Sequence, residues 1–126
     1  MKLLSSILIL LLLASCQSPY QKGEQLYTDH CSNCHGKEGE GFRKLYPPIN
    51  EELYAIYRDE IVCIIRYGNN DTLEYKGLTY AAEMPGNDIL SDIDIVNIKN
   101  FLDWKFTENK DYNSLTEVKN DLADCN

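Results

Sequence analysis

The chain has 126 residues, 12 Lys+Arg against 20 Asp+Glu, and a formal net charge of −8. That length fits one domain with a modest core. So acidic a surface repels nucleic acid and offers no basic patch for phosphate, and a basic partner surface suits it better.

The first segment reads as a targeting signal. Lys2 supplies a positive start and Leu3 to Leu13 form an apolar run of signal-peptide length. A membrane-spanning helix needs about 20 residues, so the run is too short to cross. It ends in Leu13-Ala14-Ser15-Cys16, which resembles the lipobox of bacterial lipoproteins. That resemblance implies removal of residues 1–15, a lipid on Cys16 and a short membrane tether over 16–21.

A first helix is expected from near Tyr20 to Asn33. It runs into Cys31-Ser32-Asn33-Cys34-His35, the C-x-x-C-H attachment signature of c-type haem. Two thiols three positions apart on a helical turn can each add to one haem vinyl group, and the adjacent histidine reaches the iron from the same side. The competing readings are a redox dithiol or half a zinc site. A thioredoxin-like dithiol would end a strand in a βαβ unit, and no such pattern surrounds it. Zinc would need two more ligands, and only His30 and the distant Cys63 and Cys125 are available.

Residues 36–50 read as loop, broken by Gly36, Gly39, Gly41, Pro47 and Pro48. Pro47 or Pro48 can offer a carbonyl to the other ring nitrogen of His35. Residues 51–67 have a helical pattern with a break near Asp59, which could cap the second piece. Ile61, Val62, Ile64 and Ile65 are expected inside, and Gly68 stops the helix. Residues 71–80 suggest a short hairpin around Lys76-Gly77, followed by loop to Asp88.

That loop holds Glu83-Met84-Pro85-Gly86. Met84 is the one methionine outside the leader, and Pro85 biases it toward extended backbone. Gly86 is expected to let the chain turn away. His30 lies five residues before His35 and cannot reach the far side of the ring. Met84 is therefore the candidate sixth ligand, of the kind that raises a reduction potential; the other use of a lone methionine is core filling.

Ser91 is expected to cap a helix through about Trp104, with Ile95, Ile98, Phe101 and Leu102 on its apolar stripe. Ser114 and Glu117 form a capping box for a tail helix. That helix carries Leu115, Val118, Leu122 and Cys125 near one stripe. Cys63 and Cys125 are left as an even pair, expected to form a disulfide in an oxidising compartment. Closing a loop of about 60 residues would stabilise by roughly 4 kcal/mol.

The order helix, C-x-x-C-H-G, P-P-I, M-P-G and capped helix resembles the class I c-type cytochromes over residues 20–104. The resemblance implies an all-α bundle around one covalent haem c, with first and last core helices crossing. Gly23 and Tyr27 would meet Ile98 and Phe101. It implies His35 and Met84 as axial ligands and Pro47 as the carbonyl donor. The expected domain is residues 22–106, with a hairpin insert before Met84 and an extension over 107–126.

The expected function is one-electron transfer, not enzymatic turnover, in the bacterial cell envelope. Membrane-bound redox complexes would be the donor and acceptor. The alternatives are a permanently docked haem subunit of a larger oxidoreductase, a five-coordinate sensor or peroxidase-like haem, and a haem-free lipoprotein.

Overall fold

The computed structural model describes residues 19–108 and 111–125. The leader, Cys16 and Gln17 lie outside the described residues.

Among the described residues six helices make the fold, and the all-α expectation holds. They are α1 (Gln21–His30), α2 (Ser32–His35), α3 (Glu51–Tyr57), α4 (Ile61–Tyr67), α5 (Asp92–Phe106) and α6 (Leu115–Ala123). Four short strands join them: β1 (Gly68–Asn69), β2 (Leu73–Tyr75), β3 (Leu78–Tyr80) and β4 (Met84–Pro85). Among the described residues no helix is long and apolar enough to cross a membrane.

The centre is the crossing of α1 and α5. Gly23 sits where a side chain would strike the Asn97 carbonyl and come within 2.7 Å of Phe101 Cβ. Its missing Cβ lets the helices touch backbone to backbone. Tyr27 stacks at a tilt on Phe101, ring centres 5.5 Å apart. At Gly23 the contact is therefore Asn97 and Phe101, and Ile98 is free to face the central cavity.

Helix α5 is buried well beyond its apolar stripe. Val96, Lys99, Asn100, Asp103 and Phe106 are buried too. The tail accounts for part of this, with Val118 of α6 fully buried in the same cluster as Phe101 and Leu102, while Lys99 donates to the Arg58 carbonyl and Phe106 packs on Tyr54. Asn113 trades hydrogen bonds with Asn100 across the joint, at 2.8 Å and 3.0 Å. Cys63 of α4 is bridged to Cys125. Leu115, expected on the docking stripe, is instead 37% exposed, because it opens the helix ahead of the contact that Val118 makes.

Several boundaries differ from expectation. The first helix breaks at Cys31, whose backbone (φ −118°, ψ −36°) is distorted from helix, and α2 restarts after it. Asp59 caps nothing. Glu60 precedes α4 in a near-helical conformation without a side-chain cap, so no extended residue presents an acceptor to the first turn. Helix α5 runs two residues past Trp104. Both capping boxes form, at Ser91/Asp94 and Ser114/Glu117.

The hairpin is β2–β3, turning on Lys76 and Gly77, both at positive φ, the pattern of the tight turns that match strand twist. A second ladder had no sequence signal: β1 pairs antiparallel with β4, Gly68 opposite Pro85 and Asn69 opposite Met84.

Candidate functional site

One cavity of about 480 Å³ opens between α2, α3, α4 and the β4 strand. Its size falls in the range of cofactor sites. Its wall is mostly apolar, with Ile49, Leu53, Ile61, Ile64, Ile65, Ile98 and Leu102, and tyrosines 27, 46, 54, 57 and 80. Ile64, expected in the core, is half-buried because it forms this wall.

Cys31, Cys34, His35, Pro47 and Met84 all line the same cavity. Four of them come from residues 31–47 and one from a strand far along the chain. Neither cysteine is part of a disulfide. Burial, then the neighbouring Cys34, pushes the Cys31 thiol up to about 11. A zinc site lacks ligands: among the described residues no three of His, Cys, Asp and Glu gather to hold a metal, and Cys63 and Cys125 hold each other.

The distorted turn at Cys31 sets the histidine. The Cys31 carbonyl accepts from the His35 N–H at 3.0 Å and from the Cys34 N–H at 3.2 Å. Both cysteines and the imidazole are thereby held on one short segment. Tyr27 secures that segment to α1 by donating its hydroxyl to the Gly36 carbonyl at 2.7 Å.

His35 Nδ1 lies 3.0 Å from the Pro47 carbonyl. A carbonyl can only accept, so Nδ1 carries the proton and Nε2 is left with its lone pair. Burial lowers the His35 pKa and the Pro47 bond offsets this only in part. The ring is therefore neutral, the form that binds a metal.

Met84 is half-buried in β4, held by β1 at the end of α4. Gly86 does not serve as a turn. It allows close approach: a side chain there would meet the Arg66 carbonyl at 2.6 Å and the Tyr67 backbone at 2.7 Å. Arg66 of α4 completes the hold. Its guanidinium donates to the Leu90 carbonyl at 2.6 Å and pairs with Asp92 at 3.0 Å. Nothing in the sequence pattern singled Arg66 out; a cation one turn before a helix stop usually faces solvent.

Tyr54 was missed as well. From the cavity wall its hydroxyl donates to the buried Asp103 at 3.1 Å. Asp103 also takes Arg58 Nε at 2.7 Å and Asn113 Nδ2 at 2.7 Å, with Lys99 at 3.6 Å. Burial alone would raise the Asp103 pKa. The hydrogen bonds from Arg58 and Asn113 and the Lys99 charge outweigh it and hold the carboxyl below its usual range.

The residues present fit a covalently attached haem. The thiols, the neutral imidazole and the thioether surround one apolar space, and every buried side-chain nitrogen or oxygen among the described residues has a partner.

The family model described as cytochrome c oxidase, cbb3-type, subunit III matches residues 18–102. Cytochrome c-552 of Thermus thermophilus is 24% identical over 102 residues, covering 77% of this chain and 68% of that protein.

Proposed function

The chain belongs to the c-type cytochrome family described by the cbb3-type oxidase subunit III model, and from that premise we propose a one-electron carrier with His35 and Met84 as axial ligands. Covalent haem c and haem-based electron transfer come with the family. The observation that carries the finer reading is the shared cavity. It places Met84 with Cys31, Cys34 and His35 although the sequence separates them by about fifty residues.

Each residue has a task that its surroundings support. Cys31 and Cys34 hold the porphyrin by thioethers. His35 offers Nε2, oriented by its Nδ1–H on the Pro47 carbonyl. Met84 offers a soft sulfur, which favours ferrous iron and raises the potential. When bound, the haem supplies an Fe(II)/Fe(III) couple. With His35 and Met84 both engaged, no site would remain for a substrate, and the apolar wall would surround the bound group.

A leader over residues 1–15 and a lipid on Cys16 belong to the same reading. Four residues would then lie between the anchor and α1, five Cα steps with a reach of at most about 17 Å. The carrier would stay at the outer-facing side of a bacterial membrane and serve membrane-bound redox complexes of a respiratory chain. The family description favours one second reading, a permanent haem subunit of an oxidoreductase. Purification in mild detergent separates the two, since a subunit co-elutes with its complex and a shuttle does not.

The test is a pyridine haemochrome spectrum and a potentiometric titration of protein made with a c-type maturation system. One haem per chain and a reversible one-electron wave are expected. Protein with no Soret band would overturn the proposal.

A further inference from the structure

The tail past residue 102 lies outside the family match, yet it is bridged to α4, the helix that leads into the ladder holding Met84. Val118 is fully buried in the core cluster, and Cys125 is bridged to Cys63 on α4. Three residues beyond Cys63, Arg66 grips the Leu90 and Asn87 carbonyls at 2.6 Å and 3.3 Å. Between them, the Ile65 carbonyl accepts from the Asn87 N–H at 2.9 Å. At the end of the helix, Gly68 and Asn69 pair with Pro85 and Met84.

Met84 therefore takes its position from α4. Its own ladder has two residues a side, too little to keep a shape alone. Helix α4 has seven residues, far below the length at which an isolated helix persists. Its Ile61, Ile64 and Ile65 line the cavity, and Val62 and Ile65 are buried in the core cluster beside α5. The tail adds a further support on α4, and its covalent part is the bridge.

We propose that the Cys63–Cys125 bridge is a positioning device for the axial methionine: it pins α4 from behind and so holds the β1–β4 ladder that presents the Met84 sulfur to iron. The proposal rests on the reading of Met84 as ligand given above.

The experiment uses full-length ferric holoprotein and the variant Cys63→Ser/Cys125→Ser. Imidazole competes with the methionine sulfur for ferric iron, so its affinity reports how firmly Met84 is held. We expect imidazole to bind the variant at least tenfold more tightly, with faster hydrogen exchange at the Asn87 amide. Covalent haem and the weak far-red absorption of sulfur-ligated ferric haem are expected to remain when imidazole is absent. Val118→Ala lowers stability but keeps the bridge, and its imidazole affinity is expected to stay within twofold of the parent.

Unchanged affinity in the double variant overturns the proposal, as does an equal tightening in Val118→Ala. If the double variant does not accumulate, the bridge is opened in folded holoprotein with a phosphine and capped with iodoacetamide. The iron is then reoxidised with ferricyanide, and the same titration decides by the same two results. A parent protein without the far-red band overturns the ligation reading and this proposal together. A parent with the band and no difference on opening the bridge overturns this proposal alone.

Discussion

The histidine and the methionine reach the cavity wall by different means. On the histidine side, Cys31, Cys34 and His35 share one helical turn, and the Pro47 carbonyl arrives twelve residues later. On the methionine side, Met84 depends on α4, on the β1–β4 ladder, on Arg66 and, through Cys63, on a tail some forty residues away. One side is fixed by neighbours in sequence and the other by tertiary contacts. A histidine-side lesion should therefore be all-or-none, and a methionine-side lesion graded.

The sharpest break is Cys31→Ser/Cys34→Ser. It removes both thioethers, and haem staining of a denaturing gel should show no covalent haem. Met84→Ala should keep the haem and lose the far-red band. Its midpoint potential should fall by at least ~59 mV, the one-electron equivalent of a tenfold shift. Unaltered potential would show that Met84 is no ligand.

Asp103→Asn probes how the tail and the cavity wall share one carboxylate. It strands Arg58 and Lys99 beside a neutral amide, and breaking a buried pair costs about 3 kcal/mol, read by guanidinium unfolding at neutral pH. The pH dependence has a definite sign. Asp103 titrates lower in the fold than in the unfolded chain, so its stabilisation is complete above pH ~4. It is lost as pH falls through the depressed folded value. The parent should lose stability more steeply below pH ~4 than the variant. Gly23→Ala, at the α1–α5 crossing, should cost about 1–3 kcal/mol by overpacking against Asn97 and Phe101. Smallest is Ser91→Ala, about 1 kcal/mol for a lost helix cap, and this change should leave the potential alone.

The same contrast explains what the sequence could convey. C-x-x-C-H, the two capping boxes and the Lys76-Gly77 turn are local patterns, and each folds where its residues stand. The role of Arg66 was invisible because its partners, the Leu90 carbonyl and Asp92, lie more than twenty residues away. Gly86 was misread for a related reason: its use is close approach to the end of α4, which only the folded chain reveals. The buried Lys99, Asn100 and Asp103 broke the apolar period of α5, since the tail covers the helix on the side a simple stripe leaves to solvent. The Asp59 cap failed because the chain enters α4 through a tight turn already near helical geometry.

The central claim is that iron is held between the His35 imidazole and the Met84 thioether. The most direct measurement is the ferric absorption spectrum of the purified holoprotein beside that of Met84→Ala. The far-red sulfur–iron band is expected in the first and is expected to vanish in the second, with equal haem content. A band absent from both, or present in both, would contradict it.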